Sequence, residues 1–506
     1  MLALAVLPAP VISRSNLVAS CPCPPFVTAQ SFPFNLSAMH DISRFKLSGA
    51  FCRRALFFLF TSFAIGRLAW PASAADTTPK IPRFTIENMD KSVKPDADFF
   101  RYAAGAWLKN SPVPADKARW SGFDELQERN WQLIHGILED CAAGRAGASK
   151  AARLVGDFFV SAMDTNRLEQ LGFQPLEPEF QRIAALRSAD ELLRFVAEQQ
   201  HNGVSAMFGA SVGPDAKNSA IYAYCLSQGG LGLPERDYYL SGDFAEQREA
   251  YVAHITKMFS LLGEKESDAA AHAKTVLDLE TALAKASKSR TDLRDPIANY
   301  HKFTVGDLPA KYPALTVKTV LQTSGLDAVK EIVIRQPEFF SALESLVKER
   351  PLADWKTYLR WHVVRNAAPY LHQAAEDESF AFYGTVLRGQ PAQEPRWQRA
   401  AKVIDGEIGE ALGELFVQKY YPPEAKARMN ELIENLKAVF RDRLAKVAWM
   451  TDATRTKAQA KFDRFTQKIG HPDKFRDYST VEIRRDDFFG NVKRASVCPW
   501  TGRSGT

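Results

Sequence analysis

Apolar side chains along this chain recur mostly at three- and four-residue steps, the spacing that gathers them on one face of a helix. From Leu126 onward Leu133, Ile134, Ile137, Leu138 and Cys141 form one such stripe. A second begins at Pro423, a residue suited to a first helical turn, and carries Met429, Leu432, Ile433, Leu436, Val439, Phe440, Leu444 and Val447. A third opens at Thr451-Asp452, a capping pair, and runs through Ala458, Phe462, Phe465 and Ile469 to Gly470, a natural helix terminator. All three stripes are expected to be core. One region breaks the rhythm. Ala206, Phe208, Ala210 and Val212 alternate with small or polar residues, and Ile221, Ala223 and Cys225 do the same beyond the turn-forming run 213–218, which predicts a β-hairpin.

The hairpin leads into Gly229-Gly230-Leu231-Gly232-Leu233-Pro234. No third glycine follows at dinucleotide-binding spacing and Pro234 blocks a helix start, so these glycines predict a tight loop with positive φ packed under the lobe. No repeat of fixed period is present, which disfavours a solenoid. The expected fold class is therefore mainly α, an irregular multi-helix lobe with a small β-hairpin.

The N-terminal region reads differently. Ala55 to Ile65 is an apolar stretch preceded by Arg53-Arg54 and followed by Pro71-Ala72-Ser73-Ala74-Ala75, a small-residue cleavage site. It is far short of the ~20 apolar residues of a membrane span, so a secretory signal is expected and a stable membrane anchor is not. The flanks of the Arg pair fit the ordinary secretory route better than the twin-Arg one. Met39 is the better start, which makes 1–38 upstream sequence and 39–75 the signal. The product is expected to be periplasmic or secreted.

Residues 1–75 hold six Lys/Arg and one Asp, a net of +5 out of the whole-chain +6, so the remainder is nearly neutral. That balance gives no support for nucleic-acid binding, and the locally basic stretch 441–468 has the spacing of solvated helix faces. Only Cys141, Cys225 and Cys498 lie beyond the signal. A Cys141–Cys225 bridge would suit an oxidising periplasm, but two free thiols are the favoured state. The roughly 430 residues left exceed the ~250–300 that one hydrophobic core serves, so at least two lobes are expected.

Separate islands carry a resemblance. They are Asn88-Met89-Asp90, Asp98-Phe99-Phe100-Arg101-Tyr102, Gly105-Ala106-Trp107-Leu108, Ala118-Arg119-Trp120-Ser121-Gly122-Phe123, the Gln228 to Leu240 run, Arg294-Asp295-Pro296, Trp361-His362, Ala367-Ala368-Pro369-Tyr370, Trp449-Met450 with Thr454-Arg455, Lys468 to Lys474, and Arg476-Asp477-Tyr478. Together, over about 86–495, they resemble the neprilysin/endothelin-converting-enzyme family of zinc metallopeptidases. The resemblance implies a helical lobe that encloses oligopeptide substrates over a thermolysin-like catalytic lobe, with zinc as the cofactor of the full-length enzyme. It also implies that 86–125 and 465–496 pack on that second lobe.

The chemistry of such an enzyme needs two His four residues apart on a helix, Glu between them, and a third ligand. No His here is followed by Glu-x-x-His. His135/Glu139 and His372/Glu376 have i, i+4 spacing, but each reads as a solvated polar pair, and no metal or catalytic residue is assigned. Residues 76–496 are expected to be the peptidase N-terminal domain, lacking the catalytic lobe. Residues 497–506 match nothing in the resemblance and read as a frameshifted or truncated end.

One site residue follows from the resemblance. The family binds the substrate's free carboxylate with an Arg in an Arg-aromatic-Ser-x-Phe-Asp context, and Arg119 to Asp124 matches it. The planar guanidinium fork suits a carboxylate. An internal ion pair to Asp124 or Glu125 is the alternative role for Arg119, and Arg236-Asp237 and Arg294-Asp295 are expected to be structural ion pairs. As a whole the chain reads as the substrate-enclosing part of a zinc endopeptidase, inactive alone. The alternatives are a non-catalytic peptide-binding module and a helical scaffold.

Overall fold

The computed structural model describes residues 85–497. The upstream segment 1–38, the signal 39–75, His40 and the tail from Cys498 onward lie outside the described residues. The helices used below are α1 (Phe99–Asn110), α2 (Gly122–Ala142), α3 (Lys150–Met163) and α4 (Ala189–His201), then α5 (Ala245–Leu261) and α6 (Glu266–Ala286). There follow α7 (Pro337–Glu349), α8 (Leu352–Ala367), α9 (Gln373–Phe380), α10 (Arg396–Tyr420), α11 (Pro423–Ala445), α12 (Asp452–Asp463) and α13 (Phe488–Ser496).

Two apolar cores occupy this one compact unit. The first gathers α4 to α8 around Trp355, Tyr358, Trp361, Tyr251, Phe259 and Phe339, all fully buried. Burying an aromatic side chain of that size contributes about 1.5–3 kcal/mol, so this cluster dominates the stability of the larger half. The second packs α2, α3, α10 and α13 around Leu138, Val155, Phe158, Ile404 and Ile408. Phe489 packs against both. Polar ties join them as well, with Lys493 on Glu179 at 2.7 Å and Arg396 and Arg399 both on Glu376. Where the sequence predicts at least two lobes, the described residues form one compact unit with two apolar cores.

The hairpin forms where alternation predicts it. β1 (Phe208–Pro214) pairs antiparallel with β2 (Tyr222–Gln228), from Phe208 opposite Gln228 to Pro214 opposite Tyr222. Its turn is held by Asp215, whose carboxylate accepts from the Lys217 and Asn218 amides and from the Tyr300 hydroxyl. Two further strands escaped the pattern. β3 (Lys302–Thr304) and β4 (Glu331–Ile334) complete a sheet of order β1-β2-β4-β3, with β4 parallel to β2. Strands of three and four residues are too short to show a period, and the parallel pairing joins segments about a hundred residues apart.

Several expectations need correction. α11 begins at Pro423 as its sequence predicts, but of its stripe only Leu444 is buried, while Leu432, Leu436, Val439 and Phe440 are exposed. The amphipathic signal is real. Among the described residues α12 is the helix that packs along α11, through Phe440 on Phe462 and Arg441 on Asp463. α12 has Thr451 as N-cap but ends at Asp463 rather than at Gly470, and none of its residues is buried. The segment 465–496 was expected against another lobe. Instead Tyr478, Val481, Phe488, Val492 and Ala495 are buried in the second core. Arg236 reaches Asp237 at 3.4 Å, whereas the Asp295 carboxylate caps the Ile297 and Ala298 amides, and no ion pair forms with Arg294. Cys141 and Cys225 are both free, and burial pushes the Cys141 thiol up to about 11.

Candidate functional site

Arg119 sits on the loop between α1 and α2, and both flanks of that loop are anchored. Below it, Ser121 caps α2, and its hydroxyl donates to Asp124 Oδ2 at 2.5 Å while accepting from the Asp124 amide, an arrangement close to a capping box. The Trp107 indole donates to Glu125 Oε1 at 3.0 Å and ties α1 to the first turn of α2. On the other flank Lys117 contacts Glu394 at 2.8 Å and Glu128 and Asp116 at 3.3 Å each. Burial opposes the Lys117 charge, but these carboxylates outweigh it and hold its pKa above the ordinary value. The Ala392 amide donates to the Ala115 carbonyl, and the Gln390 amide nitrogen to that of Asp116.

On this braced loop the Arg119 side chain is 87% exposed, with Nε 3.7 Å from Asp124 Oδ1. The internal ion pair foreseen as the alternative therefore forms, at long range and with the guanidinium still open to solvent. Beside it Phe123 is 66% exposed, and Phe99 and Phe100 of α1 are exposed too. A cation two residues before the N-cap of a long helix, with the exposed Phe123 in that helix's first turn, can receive a carboxylate attached to an apolar residue. The sequence reading missed these rings, because it began the helix at Leu126; Ser121 three residues before Asp124 is the capping signal that could have placed Phe123 in its first turn.

The Gly-rich loop does different work. Gly230 has φ +80°, and a Cβ on Gly232 would run into Tyr251 Oη. Tyr239 Oη accepts from the Gly232 and Leu233 amides at 3.1 and 2.8 Å and donates to Glu280 Oε2 at 2.7 Å. Glu280, fully buried on α6, also accepts from Tyr251 at 3.2 Å and from His362 Nε2 at 3.1 Å. Tyr358 Oη accepts from the Met207 amide and donates to the Gly230 carbonyl, pinning Met207 at φ +61°. This network is structural: its polar groups satisfy one another and present nothing to a ligand.

Chain segments 95–472 match the model of Peptidase family M13. The chain belongs to that family. What it carries is the mainly helical N-terminal portion of neprilysin- and endothelin-converting-enzyme-type zinc metallopeptidases. It is 28% identical to mouse endothelin-converting enzyme 1 over 85% of its own length and 58% of that protein's, and 29% identical to the human enzyme over 82% and 56%. Among solved structures it resembles the Mycobacterium tuberculosis zinc metalloprotease Zmp1, with TM-score 0.76, 33% identity, and coverage of 83% of this chain and 64% of the other. PepO from Lactobacillus rhamnosis shares the fold, with TM-score 0.71 at 18% identity. The chain thus spans less than two thirds of the length of these M13 proteins.

The residues described here do not fit the zinc ion that the family implies. Imidazoles are taken up singly: His254 by Glu378, His272 by Glu264, His362 by Glu280. His135 stands 3.6 Å from Glu139 and stacks on Trp397 at 4.1 Å, and Glu376 is held by Arg396 and Arg399 rather than by His372. Among the described residues no three His, Cys, Asp or Glu side chains converge. None of their helices is long and apolar enough to cross a membrane.

Proposed function

We propose that this M13 chain is the substrate-enclosing portion of a secreted or periplasmic zinc endopeptidase acting on oligopeptides, and that Arg119 receives the free C-terminal carboxylate of the substrate. Residues 39–75 direct export on this reading. The exposed α1–α2 face, with Phe99, Phe100 and Phe123, meets the catalytic lobe that M13 enzymes carry. Since no His-Glu-x-x-His occurs in the sequence, the chain on its own binds peptides without cleaving them.

The observation that carries the reading is the exposed Arg119 guanidinium on a loop braced from both sides. A charged hydrogen bond to a carboxylate is worth about 1.5–3 kcal/mol. Loss of Arg119 should therefore weaken capture of a free-acid peptide by roughly ten- to a hundredfold. Fluorescence titration of wild type and Arg119→Ala with one labelled hexapeptide, as free acid and as C-terminal amide, tests this. The substitution should weaken only the free acid. Equal losses for acid and amide, or no loss for either, would refute the assignment.

A further inference from the structure

The loop that carries Arg119 is strapped to both apolar cores, by two side chains that lie outside the Arg119–Asp124 motif. Lys117 ties it to the second core. Its half-buried Nζ lies 2.8 Å from Glu394 Oε1, just before α10, and 3.3 Å from Glu128 Oε2 on α2. Both carboxylates are fixed in turn. Glu394 also accepts from Lys402, whose Nζ lies over the Trp131 ring, and Glu128 accepts from Gln398 Nε2 at 3.0 Å. Trp131 and Gln398 are themselves buried.

Gln390 ties the same loop to the first core. It follows the π-helical turn Ala381–Val386, whose Phe382 belongs to that core, while Tyr383 and Leu387 pack against it. The Gln390 backbone is hooked onto this turn, its amide donating to the Gly384 carbonyl at 3.1 Å and its carbonyl accepting from Thr385 Oγ1 at 3.0 Å. Its side chain then crosses to the loop, where Nε2 donates to the Asp116 carbonyl at 2.8 Å. Two residues on, the Ala392 amide donates to the Ala115 carbonyl at 3.0 Å.

Arg119 follows these tethered carbonyls by three and four residues, and Ser121 fixes the chain beyond it as the N-cap of α2. The guanidinium is 87% exposed with Asp124 at 3.7 Å, so its aim is set by the backbone beneath it rather than by packing. A guanidinium fork engages a carboxylate bidentately in one plane, and any freedom left to the loop is lost on binding. We infer that Lys117 and Gln390 are positioning residues for recognition of the substrate's terminal carboxylate: neither touches it, and together they set the height and direction of Arg119 by registering its loop against both cores. The inference rests on the carboxylate role proposed for Arg119 and adds the residues that make that role effective.

Titration of the whole chain with the labelled hexapeptide, as free acid and as C-terminal amide, tests this through the ratio of the two affinities. Lys117→Met and Gln390→Met keep side-chain length while removing the contacts. Each should lower the preference for acid over amide by roughly three- to tenfold, within the range of coupling inside one hydrogen-bonded network. Added to Arg119→Ala, neither should lower the preference further, since a loop without its guanidinium has nothing left to aim. An unchanged preference in either methionine variant, with Arg119→Ala effective, removes that residue from the positioning role and leaves the Arg119 assignment standing. Equal losses with and without Arg119 place the effect elsewhere in the protein and overturn the inference. Arg119→Ala without effect removes the carboxylate assignment, and this inference with it. Gln390→Met disturbs no ion pair, so it decides the matter should Lys117→Met fail to fold.

Discussion

Tyr239→Phe removes one oxygen atom from the protein and strands three polar groups. The hydroxyl accepts from the Gly232 and Leu233 amides and donates to Glu280 Oε2, and the whole assembly is buried. No water-sized gain offsets the loss, because the phenylalanine ring fills the space the tyrosine ring left. Each buried group without a partner costs about 1–3 kcal/mol, and the second oxygen of Glu280 keeps its bonds to Tyr251 and His362, so a total of about 3–5 kcal/mol is expected. Unfolding entropy of about 2.1 cal/mol/K per residue over some 410 residues makes 4 kcal/mol a fall of about 5 °C in Tm. Tyr238→Phe is the control: its ring stacks on Phe244 at 4.1 Å, and its hydroxyl carries no hydrogen bond among the described residues. Thermal unfolding followed by circular dichroism should lower Tm for Tyr239→Phe and move the control by less than about 1 °C. If the two variants unfold together, the loop is not held by this hydroxyl and the network has been misread.

Two other outcomes are expected. Burial lowers the imidazole pKa of His254 and of His362 against the opposing pull of Glu378 and Glu280. The unfolded chain therefore takes up protons first. Stability should be complete above about pH 6.5 and decline as pH falls through the depressed folded values, by at most about 1.4 kcal/mol per unit for each histidine. Urea midpoints from pH 7.5 to 5.5 should show that decline, and His362→Gln should make it shallower; an unchanged slope in the variant would remove His362 from the account. The isolated chain should show neither chelator-sensitive cleavage of a short peptide nor stoichiometric zinc after dialysis, and cleavage abolished by phenanthroline would contradict that expectation.

Much of the local structure was legible in the chain. Pro423 and Thr451 mark helix starts through backbone geometry and side-chain caps, which act over one turn and need no tertiary partner. The 206–225 alternation and the 213–218 turn mark a hairpin for the same reason. The Arg119 assignment came from a short motif, and the structure adds the braces at Lys117 and Trp107 together with the neighbouring Phe123. The Glu280 network was not legible at all, since it draws single residues from four separate segments between 230 and 362 that no local pattern connects.

Sequence alone determined which faces are apolar, and tertiary structure decided which of them are covered. The stripe of α2 and that of α11 have the same periodicity, yet Ile137, Leu138 and Cys141 are buried while Leu432, Leu436 and Val439 are not. Amphipathicity is a property of one helix, whereas burial needs a second surface brought to it by chain connectivity. α3 and α10 supply that surface for α2. Among the described residues nothing supplies it for the open side of α11, so the same pattern yields a core in one place and an exposed face in the other.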